Sequence, residues 1–339
     1  MDPQEVADDA GLRHVDPKRL PIVRRPHGSG FRYLRGSRPV DDAARDRIVA
    51  LAIPPAWTDV RIAADDPSHI LASGVDEAGR TQYRYHERFR QEADRLKFAR
   101  LGPVGERLAR LRTSAADVLR SDHDHRDLAA IVGLIDVTAI RVGSERYATE
   151  HGTIGASTLQ RRHVDVDDPR VRLAYTGKGG IDRDLSFERR DLARFLDERR
   201  AMLRRAADPL FAGPDGGRVT GGAIGRCLTD WSGVPMTAKE LRTWSATATM
   251  VASLMAPGDV TDDVSQSDDP VLAAYDAVAH HLGNTRAVAR SSYVAPVVVE
   301  AYDDGRLERA WSRSRRSATY ARAEQALRKI LTADADSVR

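Results

Sequence analysis

The stretch Val171-Arg172-Leu173-Ala174-Tyr175-Thr176-Gly177-Lys178-Gly179-Gly180, followed by Leu185-Ser186-Phe187, decides how this chain is read. Apolar and polar residues alternate over 171–175, the period of a half-buried strand. Arg162-His163-Val164-Asp165-Val166 has the same character and leads in through Asp167-Asp168-Pro169. Glycines flanking a lysine between two strands describe a hairpin tip. The surroundings are helical. Upstream, Leu128, Ile131, Val132 and Ile135 stand at i, i+3, i+4 and i+7, a buried helix stripe that runs directly into Arg141. Downstream of 187, helices dominate to the end.

Further towards the amino terminus the pattern changes. From Ile22 to about Tyr85, short strand-like runs are broken by Gly28, Gly30, Gly36, Pro54, Pro55, Pro67 and the turn Asp76-Glu77-Ala78-Gly79. In Thr81 to His86 strand alternation puts Tyr83 and Tyr85 on one face and Gln82, Arg84 and His86 on the other. The fold class expected is α+β: a small β-rich amino-terminal domain, then a mostly helical domain with one small β-hairpin sheet. The expected divisions are a loose lead at 1–20, the β-rich domain at 21–90, the helical domain at 91–303 and an arginine-rich helical tail at 304–339.

With 339 residues, 41% of them hydrophobic, the chain can bury a sizeable core, and its length favours two domains. No apolar run is long enough to span a bilayer, and Met1 to Ala10 is acidic without the apolar segment of a signal peptide. The single cysteine, Cys227, excludes an intrachain disulfide and points to a reducing cytoplasm. A net charge of +3 neither requires nor excludes nucleic acid. The choice of cation says more. Among 53 basic residues, lysine stands only at Lys18, Lys97, Lys178, Lys239 and Lys329. Lysine can surrender a proton near neutral pH and arginine cannot, so each lysine is a candidate for a role arginine cannot fill.

Several catalytic devices are missing from the sequence. There is no Gly-x-x-x-x-Gly-Lys-Ser/Thr phosphate loop, and the glycine-rich run from Gly213, with Pro214 and Asp215, reads as a loop feeding a helix. Asp122-His123-Asp124-His125 is the one metal-like cluster, and a polar loop capping the helix at 127 is the better reading, so no metal or cofactor is expected. What remains is a set of cations and a tyrosine. Thr237 is a plausible N-cap for a helix carrying Lys239 and Arg242 on one face. Gly283 stops another helix, Asn284-Thr285 can cap the next, and Tyr293 lies late in it, before Pro296. Each has a structural reading: Asn284 as a cap, Tyr293 as a packed aromatic, Arg242 as an ion-pair partner. Together, two arginines, a hairpin lysine, a neutral donor and a tyrosine suit phosphoryl transfer through a tyrosine ester. Fixed donors stabilise the charge on the equatorial oxygens, and a lysine can protonate the leaving oxygen.

At these residues the chain resembles the poxvirus-type bacterial DNA topoisomerase IB family, over about Pro54 to Tyr302. The segments that carry the resemblance are Gly79 to His86, Ile140 to Tyr147, Tyr175 to Lys178, Thr237 to Trp244 and Leu282 to Tyr293. The resemblance implies a fold of the type IB topoisomerase/tyrosine recombinase kind, with two domains closing on double-stranded DNA as a monomeric clamp in the cytoplasm, at the nucleoid. It implies relaxation of supercoiled DNA through a 3′-phosphotyrosyl intermediate, without metal or ATP. Tyr293 would be the nucleophile, Arg141 and Arg242 the phosphate ligands, Lys178 the general acid, and Asn284 a donor to a nonbridging oxygen, where viral relatives carry histidine. Gln82, Tyr83, Tyr85 and Tyr147 match DNA-touching positions, and Lys239 is set with them. Two alternatives remain. A tyrosine recombinase would usually show His-x-x-Arg where this chain has Lys239-Glu240-Leu241-Arg242, and would have a helical amino-terminal domain. A catalytically inactive DNA-binding protein would not be expected to keep a competent residue at every catalytic position.

Overall fold

The computed structural model describes residues 2–121, 124–213, 216–259 and 267–337. The chain forms two compact units, Met1–Lys97 and Phe98–Arg339.

The first unit is built on one antiparallel sheet. After α1 (Pro3–Asp9) come β1 (Ile22–His27), β2 (Gly30–Arg35), β3 (Arg38–Pro39), α2 (Asp42–Ala50), β4 (Thr58–Ile62), β5 (Ile70–Val75) and β6 (Thr81–Tyr85), then α3 (Glu87–Ala99). The strand order is β3-β2-β1-β4-β5-β6. Ile22 pairs with Ile62 across β1 and β4, and both bury with Ile48 of α2. Residues 2–20 are not the loose lead expected. The Asp2 side chain accepts from Gln4 N at 2.9 Å and caps α1, and Val6, Ala7 and Leu12 bury with Phe89 of α3. The correction has a simple physical cause: three apolar side chains in an otherwise polar segment find a partner some 80 positions away, a contact that no local pattern announces.

The second unit opens with α4 (Leu101–Arg120), α5 (Arg126–Thr138) and α6 (Glu145–His151). The small sheet follows: β7 (Val164–Asp167), β8 (Arg170–Thr176) and β9 (Asp182–Glu188), in that order and antiparallel. In β8, Val171, Leu173 and Tyr175 are buried and alternate with exposed neighbours, as their period requires. Then come α7 (Arg190–Met202), α8 (Gly221–Ser232), α9 (Ala238–Met255), α10 (Pro270–Leu282), α11 (Arg286–Ser292), α12 (Pro296–Asp303), α13 (Arg306–Ser312) and α14 (Arg322–Ser337). One continuous core joins them, with Leu241, Trp244 and Val251 of α9 inside it.

The tail expected at 304–339 is part of that core rather than an appendage. Leu307, Tyr320, Leu327 and Ile330 are buried in it, and Glu324 accepts from Arg112 at 2.7 Å and from Trp244 Nε1 at 2.8 Å. The unit boundary also falls inside α3, between 97 and 98, rather than at 90. No helix of the described residues is long and apolar enough to cross a membrane.

Candidate active site

Four segments distant in sequence meet in the second unit. At the end of α5, Thr138 Oγ1 donates back to Leu134 O at 2.7 Å, and Ala139 takes a left-handed φ of 52°. The helix stops there, Ile140 turns into the core, and Arg141 emerges half-buried. Its Nη2 donates to Asn284 Oδ1. That bond orients the amide, because the guanidinium can only donate and so engages the oxygen. Among the described residues Asn284 Nδ2 is left buried with no partner. Asn284 is therefore not the cap of the following helix. Thr285 is: its Oγ1 accepts from Val288 N at 3.3 Å.

Arg242 sits in the second turn of α9. A capping box starts that helix, with Glu240 N donating to Thr237 Oγ1 at 3.2 Å and Thr237 N to Glu240 Oε2 at 2.8 Å. Arg242 is only 5% exposed, and its guanidinium lies 5.5 Å from the centroid of the Tyr293 ring. Burial pulls its pKa down, and the Arg141 charge adds to the effect. Neither Arg141 nor Arg242 has a carboxylate partner among the described residues, in a chain whose other arginines are widely ion-paired. Tyr293 is the C-cap residue of α11 and is half-buried. Its carbonyl accepts from Thr247 Oγ1 at 3.1 Å, and Thr247 Oγ1 in turn accepts from Ala295 N at 3.3 Å, so α9 holds the backbone from Tyr293 to Ala295.

Lys178 is exposed at the tip between β8 and β9, where Gly179 and Gly180 take φ of +82° and +74° and Gly177 N donates to Ile181 O at 2.7 Å. The tip lines a small cleft together with Arg141, Tyr175, Arg183, Arg242 and Leu282. Tyr175, Arg183 and His281 are site residues that sequence reading did not single out. Burial raises the Tyr175 pKa against the opposing charges of Arg183, Arg242 and Arg141. Arg183 donates through Nη1 and Nη2 to the carbonyls of His280 and His281, the latter at 2.7 Å. His281 is half-buried and hydrogen-bonds Ser245 Oγ through Nε2 at 2.8 Å. Burial, then Arg183 and Arg242, lowers its pKa to about 4, so the ring is neutral at pH 7.

The other candidates are dispersed. Tyr83 and Tyr85 share one face of β6, rings 5.7 Å apart, and Gln82 Nε2 donates to Asp76 Oδ2 at 2.8 Å, all in the first unit. In the second unit, Tyr147 is 50% exposed on α6 and Lys239 is exposed in the first turn of α9. Of the metal-like cluster, Asp122 and His123 lie outside the described residues, as do Pro214 and Asp215 of the glycine-rich loop. Of the described part, His125 is the N-cap residue of α5 and its side chain forms no capping bond there, while Asp127 accepts from Ala212 N at 2.6 Å and from Arg199. Among the described residues no group could hold a metal ion.

Comparison with known proteins agrees with the resemblance read from the sequence. Residues 86–316 match the family described as "Eukaryotic DNA topoisomerase I, catalytic core", and residues 30–76 match "Bacterial DNA topoisomerase IB, N-terminal domain". The chain is 27% identical over 300 residues to "DNA topoisomerase 1B" of Acanthamoeba polyphaga mimivirus, covering 84% of this chain and 88% of that protein. It is 25% identical over 193 residues to "DNA topoisomerase 1" of Mycosarcoma maydis, covering 50% of this chain and 19% of that one. A solved structure of the XerH site-specific recombinase bound to difH substrate aligns at a TM-score of 0.38 and 16% identity, over 58% of this chain and 52% of that one. Because the catalytic-core match covers most of its length, the chain belongs to the type IB DNA topoisomerase family.

Proposed function

We propose that the cleft relaxes supercoiled double-stranded DNA by transesterification, with Tyr293 as nucleophile. The observation that carries this reading is the pair of guanidinium groups, Arg141 and buried Arg242, beside a tyrosine ring and without a carboxylate among the described residues. A buried cation left unpaired is costly, and an anion arriving there removes that cost. The scissile phosphate is such an anion. Each arginine offers a planar fork suited to phosphate oxygens. The unused Asn284 Nδ2 donates to a nonbridging oxygen, completing a donor set that strengthens as charge develops.

The Tyr293 hydroxyl oxygen attacks phosphorus, its proton passes to solvent, and the bond to the 5′ oxygen breaks. The 5′ oxygen takes a proton from the Lys178 ammonium. A positioned acid of this kind contributes roughly 10²–10⁴-fold in rate. One phosphodiester is exchanged for another in the 3′-phosphotyrosyl ester, so strand rotation and religation need no ATP. Gln82, Tyr83 and Tyr85 on the first unit and Tyr147 and Lys239 on the second contact the duplex, with the two units acting as a monomeric clamp. The amino-terminal match to a bacterial topoisomerase domain favours this reading over a recombinase.

Plasmid relaxation tests it. Positively and negatively supercoiled plasmid, incubated with the protein in chelator and without ATP, should both relax, and Tyr293→Phe should relax neither. Relaxation of one sign only, or a requirement for magnesium, overturns the proposal.

A further inference from the structure

The Lys178 hairpin needs a fixed place against the phosphate ligands, because a general acid that is off by about 1 Å can cost 10²-fold. Its tip is exposed and glycine-rich. Arg183 on β9, directly across from Tyr175 on β8, reaches from the hairpin to α10. Its two Nη groups donate to the carbonyls of His280 and His281, at the end of α10. Those carbonyls stand at the negative end of the helix dipole, where His280 O also accepts from Gly283 N at 3.1 Å, so a guanidinium is well placed there.

The packing of its stem is equally specific. A Cβ built on Gly283 would lie 3.0 Å from Arg183 Cδ, and one on Gly177 would lie 3.4 Å from Arg183 Cγ. Arg183 therefore runs between two glycines, one immediately before Lys178 and the other immediately before Asn284. Gly283 also takes a left-handed φ of +61°, so at that position glycine serves both the backbone and the arginine. From His281 the connection continues through its ring to Ser245, three residues beyond Arg242 on α9. Arg183 thus ties the hairpin to the segment bearing Asn284, and the His281 ring carries the link on to the helix bearing Arg242.

We propose that Arg183 is a positioning residue that sets the register of the Lys178 hairpin against the phosphate ligands. This inference rests on Lys178 being the acid, and the test separates the two. Single-turnover cleavage is measured on a duplex with one mapped cleavage site, carrying either oxygen or sulfur at the scissile 5′ position. Sulfur leaves without a proton, so it bypasses the acid and whatever positions it.

With oxygen, Arg183→Ala should slow cleavage by roughly tenfold or more, and the sulfur substrate should return most of that rate. Arg183→Lys, which keeps the charge but gathers its donors on a single nitrogen, should fall between it and wild type with the same selectivity, and serves if the alanine variant does not fold. The double variant with Lys178→Ala should cleave the oxygen substrate no more slowly than Lys178→Ala alone, since both act through one proton transfer. If sulfur rescues Lys178→Ala but the Arg183 variants are equally slow on both substrates, Arg183 is merely structural and the inference fails. If sulfur does not rescue Lys178→Ala, the acid assignment fails, and the inference goes with it.

Discussion

Asn284 faces two ways. Its oxygen is held by Arg141 and its amide nitrogen is buried and unused, so replacements separate the two functions. Asn284→Asp keeps an acceptor for Arg141 but turns a neutral contact into an ion pair, which occupies the guanidinium, deletes the donor and sets a negative charge against the phosphate. Asn284→Ala frees Arg141 and loses only the donor, a deletion that typically costs ~10²–10³ in rate. Asn284→His restores a donor. We expect the cleavage rates to rank histidine, alanine, aspartate, with all three folded by thermal melting. An aspartate variant that cleaves at the wild-type rate would show that Asn284 does not act on the phosphate. At this scale the amino-acid order alone marks the residues proposed to react, Arg141, Lys178, Arg242, Asn284 and Tyr293, because each is a chemically apt side chain beside a turn, a tip or a helix end. It does not mark the residues that hold them. Arg183 looks like any other strand arginine until α10 lies against it, and Thr247 looks like any helix threonine until Tyr293 O is seen above it.

At the scale of elements, α9 is the part on which the site is mounted, and its packing can be tested directly. Trp244, two residues past Arg242, lies against Gly105 of α4, where an added Cβ would meet the indole at 2.3 Å. Behind it, Arg112 joins Asp136 and Glu324. Burial works against the Arg112 charge, but the two carboxylates outweigh it and raise its pKa. Gly105→Ala should lower the unfolding free energy by about 1–3 kcal/mol, the usual cost of overpacking a core. Gly102→Ala, in the same helix with open space around it, should leave stability unchanged or raise it by up to ~1 kcal/mol. Equal effects in denaturant titrations would contradict the packing described. The helix stripes and the hairpin were readable because each has a local period. The end of the chain was readable in principle: Ala323, Ala326, Leu327, Ile330 and Leu331 follow a helix stripe, but the surrounding arginines set it apart as an arginine-rich helical tail. The α1 segment had no such stripe, and only its contact with Phe89 explains it.

For the whole molecule, the order of parts along the chain, strands and turns and then helices around one hairpin, follows from the succession of periods 2 and 3.6. The convergence of 141, 178, 242, 284 and 293 does not, since closing such long loops leaves no trace in local pattern. The resemblance supplied that convergence in advance, and the two family matches, over 30–76 and 86–316, cover most of the chain. The central claim is that this assembly cuts DNA by joining it to Tyr293. The most direct measurement is to trap the protein on a duplex with one mapped cleavage site in chelator, digest it with protease and identify the nucleotide-bearing peptide by mass spectrometry. The account predicts a peptide containing Tyr293 esterified to a 3′ phosphate, with a free 5′ hydroxyl on the other fragment. An adduct on Tyr175, which lines the cleft, or on any other side chain, or a linkage through a 5′ phosphate, would contradict it.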